Sequence, residues 1–320
     1  MDALTYSSFT EDQRYSHETR KSVFSGSWYP GTEQDLAAAV DSYIARSDCS
    51  QIKGDIIAIV SPHAGHVYSG PVAACAYKTL INKAFDVVII FGNAHSMGFQ
   101  GAAIDSVKAY SNPLGTVHVD RELAEEIVKM APAVHFDNSP HTREHSLEIQ
   151  LPFLQRTLKQ GFKILPILFG FHDTGAESQI IKALYTLLQD KRFLLIASTD
   201  LTHFPNYNDA READTKTLDL IASLDTNALR RHDEETMAAG IPGLQCTLCA
   251  LTATSTVMKL SRHFGAKSGT VLKYANSGDM NAGDHNRVVG YGAVVFTVPP
   301  QEKDTLDDFK TPQSDQSRKS

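Results

Sequence analysis

The stretch DIIAIVSPHAGHVYSG, residues 55–70, joins an unbroken apolar run to a loop carrying two histidines, a proline and two glycines. A short run of this kind, apolar at every position and stopped by Ser-Pro, suits a strand buried on both faces of a parallel or mixed sheet. FDVVIIFG (85–92), FKILPILFG (162–170), RFLLIAST (192–199) and VVGYGAVVFTV (288–298) read the same way. Between them, EQDLAAAVDSYIARS (33–47), RELAEEIVKMA (121–131), ESQIIKALYTLLQ (177–189) and READTKTLDLIASL (211–224) space their apolar residues at three and four, with acids near their starts, as amphipathic helices do. PVAACAYKTL (71–80) is a further helix-like stretch. The alternation predicts an α/β fold, a mixed sheet between two helical layers, in one domain over residues 20–298. Residues 1–19 lack apolar periodicity and read as a flexible leader; residues 299–320, charged and Pro-marked, read as a disordered tail.

In sheets of this class, sites gather in the loops beyond the strand ends. His63 follows the first strand, His95 of FGNAHS follows the second, and ASTDLTHF places Asp200 and His203 after the fourth. Imidazole suits zinc, copper and iron, and an aspartate beside a histidine serves as acid and base or as an orienting pair. A lone loop histidine is more often a turn or capping residue; three at the ends of buried strands form a site hypothesis. The loop SPHTREHSLEIQLPFL adds Glu144, His145 and Glu148, with the spacing of the two glutamates putting them on one face if the segment is helical.

The net charge of −7 and pI near 6.0 give no basic footprint for nucleic acid. No apolar run approaches the roughly 18 residues of a membrane span, and the first residues lack a signal-peptide core, so a cytoplasmic protein without a membrane partner is expected. The four cysteines, Cys49, Cys75, Cys246 and Cys249, form no disulfide framework and are expected as thiols. Cys246 and Cys249 have the C-x-x-C spacing, open to four readings: a redox pair, half a zinc site, small buried hydrophobes, or one thiolate joining His63 and His95.

Taken in order, SGSWYPGTEQDL (25–36), SPHAGHVYSGPVAACAY (61–77), FGNAHS (91–96), YSNPLGTVHVD (110–120), REHSLEIQLPFLQ (143–155), ASTDLTHF (197–204) and YANSGDMNAGDHNRVVGYGAVVF (274–296) resemble the Memo family, the prokaryotic members of which are similar to protein B of the AmmeMemoRadiSam system. The resemblance implies a fold like that of class III extradiol dioxygenases. It also implies a metal-site pocket of two histidines and a cysteine. The histidines fall on His63 and His95. The family's Cys-Gly-x-x-Pro stretch is replaced here by CTLCALTA, where spacing favours Cys249 as third ligand and leaves Cys246 beside the pocket. Asp200 and His203 take the catalytic positions, and His145 and Glu144 line the pocket. The implied cofactor is iron(II), as in the dioxygenases, or copper, with zinc behind them; a thiolate, softer than the dioxygenases' carboxylate, is what brings copper(I) and zinc into contention. Two functions follow as expectations: a metal-dependent oxidoreductase, or an adaptor that holds a peptide or small molecule in a vestigial pocket. A zinc hydrolase ranks behind both, and a radical-SAM protein is the partner that the resemblance implies.

Overall fold

The computed structural model describes residues 19–49, 52–171, 175–280 and 283–299, so the expected leader and tail lie, apart from Thr19 and Pro299, outside the described residues. Four strands, β2 (Asp55–Ser61), β9 (Phe193–Ser198), β3 (Val87–Asn93) and β8 (Lys163–Phe169), lie side by side and parallel in that order. Beyond β2 run β11 (Gly290–Val298) and β10 (Gly269–Asn276), both pairings antiparallel; beyond β8 run β4 (Ala102–Ile104), antiparallel to it, and β7 (Val134–Phe136). A small second sheet joins β1 (Thr19–Lys21), β5 (Ala109–Asn112) and β6 (Gly115–His118).

The period-2 geometry of a strand explains why these runs are apolar throughout. In β3, Val87, Ile89 and Phe91 enter one core while Val88 and Ile90 enter the other; in β9, Leu195 and Ala197 oppose Leu194 and Ile196. The first core is closed by α3 (Arg121–Met130), α5 (Ala176–Leu187), α6 (Tyr207–Ala222), α7 (Thr226–Ala238) and α8 (Leu251–His263). The second is closed by α1 (Glu33–Arg46), α2 (His66–Lys78) and the short α4 (Leu151–Thr157). The expected three-layer α/β architecture is therefore present. No helix among the described residues is long and apolar enough to cross a membrane.

Three expectations change. Helix α2 begins at His66, five residues ahead of the predicted PVAACAYKTL, with Pro71 inside it. A proline there removes the hydrogen bond to Val67, and that residue is exposed, so water can satisfy its carbonyl. Glu144 and Glu148 do not share a helical face: Glu144 lies in irregular chain after the turn at His141–Arg143, and Glu148–Gln150 form a 3-10 turn leading into α4. Finally, Cys49 and Cys75 are not thiols but a disulfide with Cα atoms 5.7 Å apart. The packing of α1 against α2 brings Cys49, just past α1, onto Cys75 in the middle of α2, a pairing that sequence spacing cannot show.

Candidate metal centre

Because β2, β9 and β3 are adjacent and parallel, their carboxyl ends open on one edge, within about 10 Å of one another at the usual strand spacing. Each delivers a functional residue two positions past its last: His63 after Ser61, Asp200 after Ser198 and His95 after Asn93. A fourth segment, the irregular stretch holding Glu144 and His145, lies over the end of β3. Gly92 makes room for it, since a Cβ there would stand 2.6 Å from the Ser146 hydroxyl. Three imidazoles meet as a result. One ring nitrogen each from His63, His95 and His145 lies within 4.8 Å of the others, and the ring centroids are 4.6–5.0 Å apart.

Hydrogen bonds set which nitrogen of each ring is bare. Glu144 Oε1 lies 3.0 Å from His95 Nδ1, a hydrogen bond in which the carboxylate calls for a proton on that nitrogen, and 3.4 Å from His145 Nδ1, an ion-pair distance only. The His95 and Ser146 amides also donate to Glu144. Burial alone would raise this carboxyl, but the His95 hydrogen bond, the His95 and His145 charges and the Ser146 amide outweigh it and bring the pKa to about 2. His63 Nδ1 sits 3.1 Å from Ser198 Oγ. That hydroxyl spends its single proton on the Ser146 carbonyl and accepts from Gln150 Nε2, so it can only accept from His63. His63 and His95 thus each donate from Nδ1, which leaves Nε2 as the nitrogen of those rings available to a ligand. Charge supports the same assignment: burial, aided by the neighbouring imidazoles, holds His63 well below its ordinary pKa and, with His95 and His203 against Glu144, brings His145 to about 4.

Cys249 borders this cluster with its sulfur 3.1 Å from His63 Nε2, and it accepts the Asp200 amide at 3.2 Å. Burial, then Asp200 and Cys246, push its thiol well above the usual range. Cys246 stands back: its sulfur reaches only the Leu201 carbonyl at 3.9 Å, while its own carbonyl accepts the His203 amide. Burial lifts that thiol to about 12. Asp200 Oδ1 accepts the His63 and Ala64 amides, at 2.7 and 3.3 Å, and burial holds its carboxyl up at about 7. It therefore fixes the His63 loop, and no hydrogen bond joins it to His203 among the described residues. His203 Nε2 is buried without a partner, and burial with His95 lowers that ring to about 4.

The model of the Memo-like protein family matches residues 20–295. The chain belongs to the Memo family. It is 34% identical to a MEMO1 family protein of Nitrosopumilus maritimus over 87% of this chain and 99% of that one. MEMO1 family proteins of Methanopyrus kandleri and Aquifex aeolicus are each 31% identical, over 87% of this chain and 98% of theirs. The fold is accordingly the family's dioxygenase-like α/β fold.

In this Memo protein Glu144, expected in the pocket lining, holds His95, while Ser198 and Gln150, which sequence reasoning gave no role, hold His63. Glu148 ties the site to the segment from Arg20 to Tyr29 by accepting from Arg20 Nη1, the Tyr29 hydroxyl and the amides of Val23 and Phe24. That segment delivers Trp28 onto His145, ring centroids 4.5 Å apart, with Phe24 behind it at 5.9 Å. The signals were present: Trp28 is the chain's one tryptophan, inside SGSWYPG, and Ser198 and Gln150 stand inside ASTDLTHF and REHSLEIQ.

Proposed function

We propose that this Memo family protein binds a transition metal, iron(II) or copper, through His63, His95 and His145 with Cys249 alongside, and acts as a metal-dependent oxidoreductase. The observation that carries the reading is the convergence of three imidazoles, one ring nitrogen each within 4.8 Å of the others, with His95 held at Nδ1 by Glu144 and His63 at Nδ1 by Ser198. Nitrogen donors held in this way by a carboxylate and a hydroxyl are how proteins prepare a transition-metal site. When bound, the metal supplies a redox centre and a Lewis acid.

The chain's own residues provide the rest. Glu144 and Ser198 keep the ligand rings in orientation. Asp200 pins the backbone at His63 and Ala64. His203, neutral at physiological pH and with a buried, unpartnered Nε2, is placed to take or return a proton at that atom. Trp28 and Phe24 wall the His145 side with flat apolar surface, which suits a planar small molecule or the aromatic side chain of a peptide.

Anaerobic purification followed by metal analysis tests this. One equivalent of iron or copper is expected in the native protein and near none in His63→Ala or His95→Ala. Comparing His145→Ala with Cys249→Ser assigns the third ligand. Folded protein that takes up no stoichiometric metal on anaerobic reconstitution would overturn the proposal and leave the reading of a pocket that only binds a ligand.

A further inference from the structure

At the opposite end of the same strands lies a second cleft of about 580 Å³, a volume typical of small-molecule sites. It is lined where β2 and β9 begin, at Asp55 and Phe193, and where β11 ends, at Val298. The seven residues of β2 put it roughly 20 Å from His63 at the usual strand rise, so it is separate from the metal centre.

Two features distinguish it. The first is a cluster of rings: Phe193 and Phe264 have centroids 4.5 Å apart, Tyr185 sits 5.3 Å from Phe264, and Phe85 completes the lining. The second is charge. Lys83, Lys191 and Arg192 line the cleft, with His263 beside them and Asp55 as its one acid, in a chain whose net charge is −7. Arg192 is held by Asp86, at 2.6 Å from Nη2, which orients the guanidinium at the rim, and Lys191 also lies in the field of Asp86. Among the described residues, neither lysine ammonium has a hydrogen-bonded partner. Lys83 is half-buried, so its charge faces the cleft with less water than a free surface lysine. Aromatic lining offers stacking to a flat ring, and ammonium groups in the same lining without hydrogen-bonded partners select rings that carry an anion.

We infer that this cleft is a second ligand site, for a small planar aromatic molecule bearing a carboxylate or phosphate. The two sources of that chemistry, an aromatic carboxylic acid and a nucleoside monophosphate, are separated by the probes. Calorimetry on the full chain would use 2-naphthoate, AMP, inorganic phosphate and the neutral 2-naphthalenemethanol. One of the two aromatic anions is expected to bind saturably with one site per chain, identifying the source. The neutral alcohol and inorganic phosphate should each bind at least about tenfold more weakly, since each lacks one half of the recognition. Lys83→Glu combined with Lys191→Glu, both away from the core, should weaken binding by a similar factor with an unchanged melting temperature. His95→Ala should leave it unaltered, so failure here is distinct from failure of the metal proposal. No saturable binding of either aromatic anion, equal binding of the alcohol or phosphate, indifference to the double charge reversal, or loss in His95→Ala would each overturn the inference.

Discussion

Replacing Glu144 by glutamine exchanges one carboxylate oxygen for an NH2 group and tests the organisation of the whole site. The native Oε1 accepts from His95 Nδ1 and the Ser146 amide, and Oε2 from the His95 amide. A carboxamide cannot meet both demands. With its oxygen at the Oε1 position, its NH2 faces the His95 amide, donor against donor; with the groups exchanged, the NH2 donates to Nδ1 and drives the His95 proton to Nε2, the nitrogen a metal needs. An outer partner of one ligand histidine is worth about 10–100-fold in metal affinity, so Glu144→Gln should weaken binding by at least about tenfold, or about 1.4 kcal/mol. Ser198→Ala removes the acceptor of one ring, His63, and should cost about tenfold. The assay is anaerobic competition between protein and a chelator of known affinity, with circular dichroism and melting temperature confirming that each variant is folded. A folded Glu144→Gln protein with affinity within about threefold of the native one would refute the tautomer argument, because the rings would then be oriented without their carboxylate.

Asp214 gives a pH signature remote from the metal ligands. It accepts the Thr202 amide and hydroxyl and the Tyr274 hydroxyl, and burial raises its carboxyl to about 7 from an ordinary 3.8, against the pull of those donors. Between these values the folded state holds a proton that the unfolded state releases, so its contribution is full below pH 4 and lost as pH rises towards 7, about 4 kcal/mol in all. Asp214→Asn, which keeps the shape and can donate to the two hydroxyl oxygens, should flatten that part of the urea-measured stability curve; parallel curves for the two proteins would count against the burial argument. The Cys49–Cys75 disulfide closes a loop of sequence separation 26 that contains β2 and His63. Cys49→Ser should destabilise the oxidised protein by about 3–4 kcal/mol on the chain-entropy estimate, read as a lower urea midpoint, whereas an unchanged midpoint would show that the helix contact alone holds this region.

The central fold was legible because its strands are buried on both faces, so each announced itself as an unbroken apolar run. DIIAIVS matches β2 end to end, and the other four runs overlap their strands with shifts of one or two residues. What escaped detection has weaker patterning for physical reasons. Helix α7, TNALRRHDEETMA, buries only Leu229, so it has almost no apolar stripe to read. Strand β10 lies at the sheet edge, half-exposed along most of its length, and its run is diluted with polar residues. Helix α2 was masked at its start by Pro71, because a proline in sequence marks a boundary unless something outside the sequence satisfies the freed carbonyl.

The site divides in the same way, into what strand ends dictate and what only packing can decide. His63, His95 and Asp200 were readable because a residue two positions beyond a parallel strand has little choice of edge. Rank among the third donors was not. Resemblance favours Cys249, yet His145 is the donor that stands in the imidazole cluster, its Nδ1 3.4 Å from Glu144, while burial, Asp200 and Cys246 keep the Cys249 proton in place. That thiol also faces the very His63 nitrogen a metal would occupy, at 3.1 Å. A cation bound between the three imidazoles, as proposed, would have to break the thiol–imidazole contact, and the sulfur would then face a positive charge able to remove its proton, as metals do to coordinated thiols. On that proposal the two candidates would be successive more than rival: His145 would complete the imidazole set, and Cys249 would be positioned to join it, where the softness of sulfur can weigh on which metal stays.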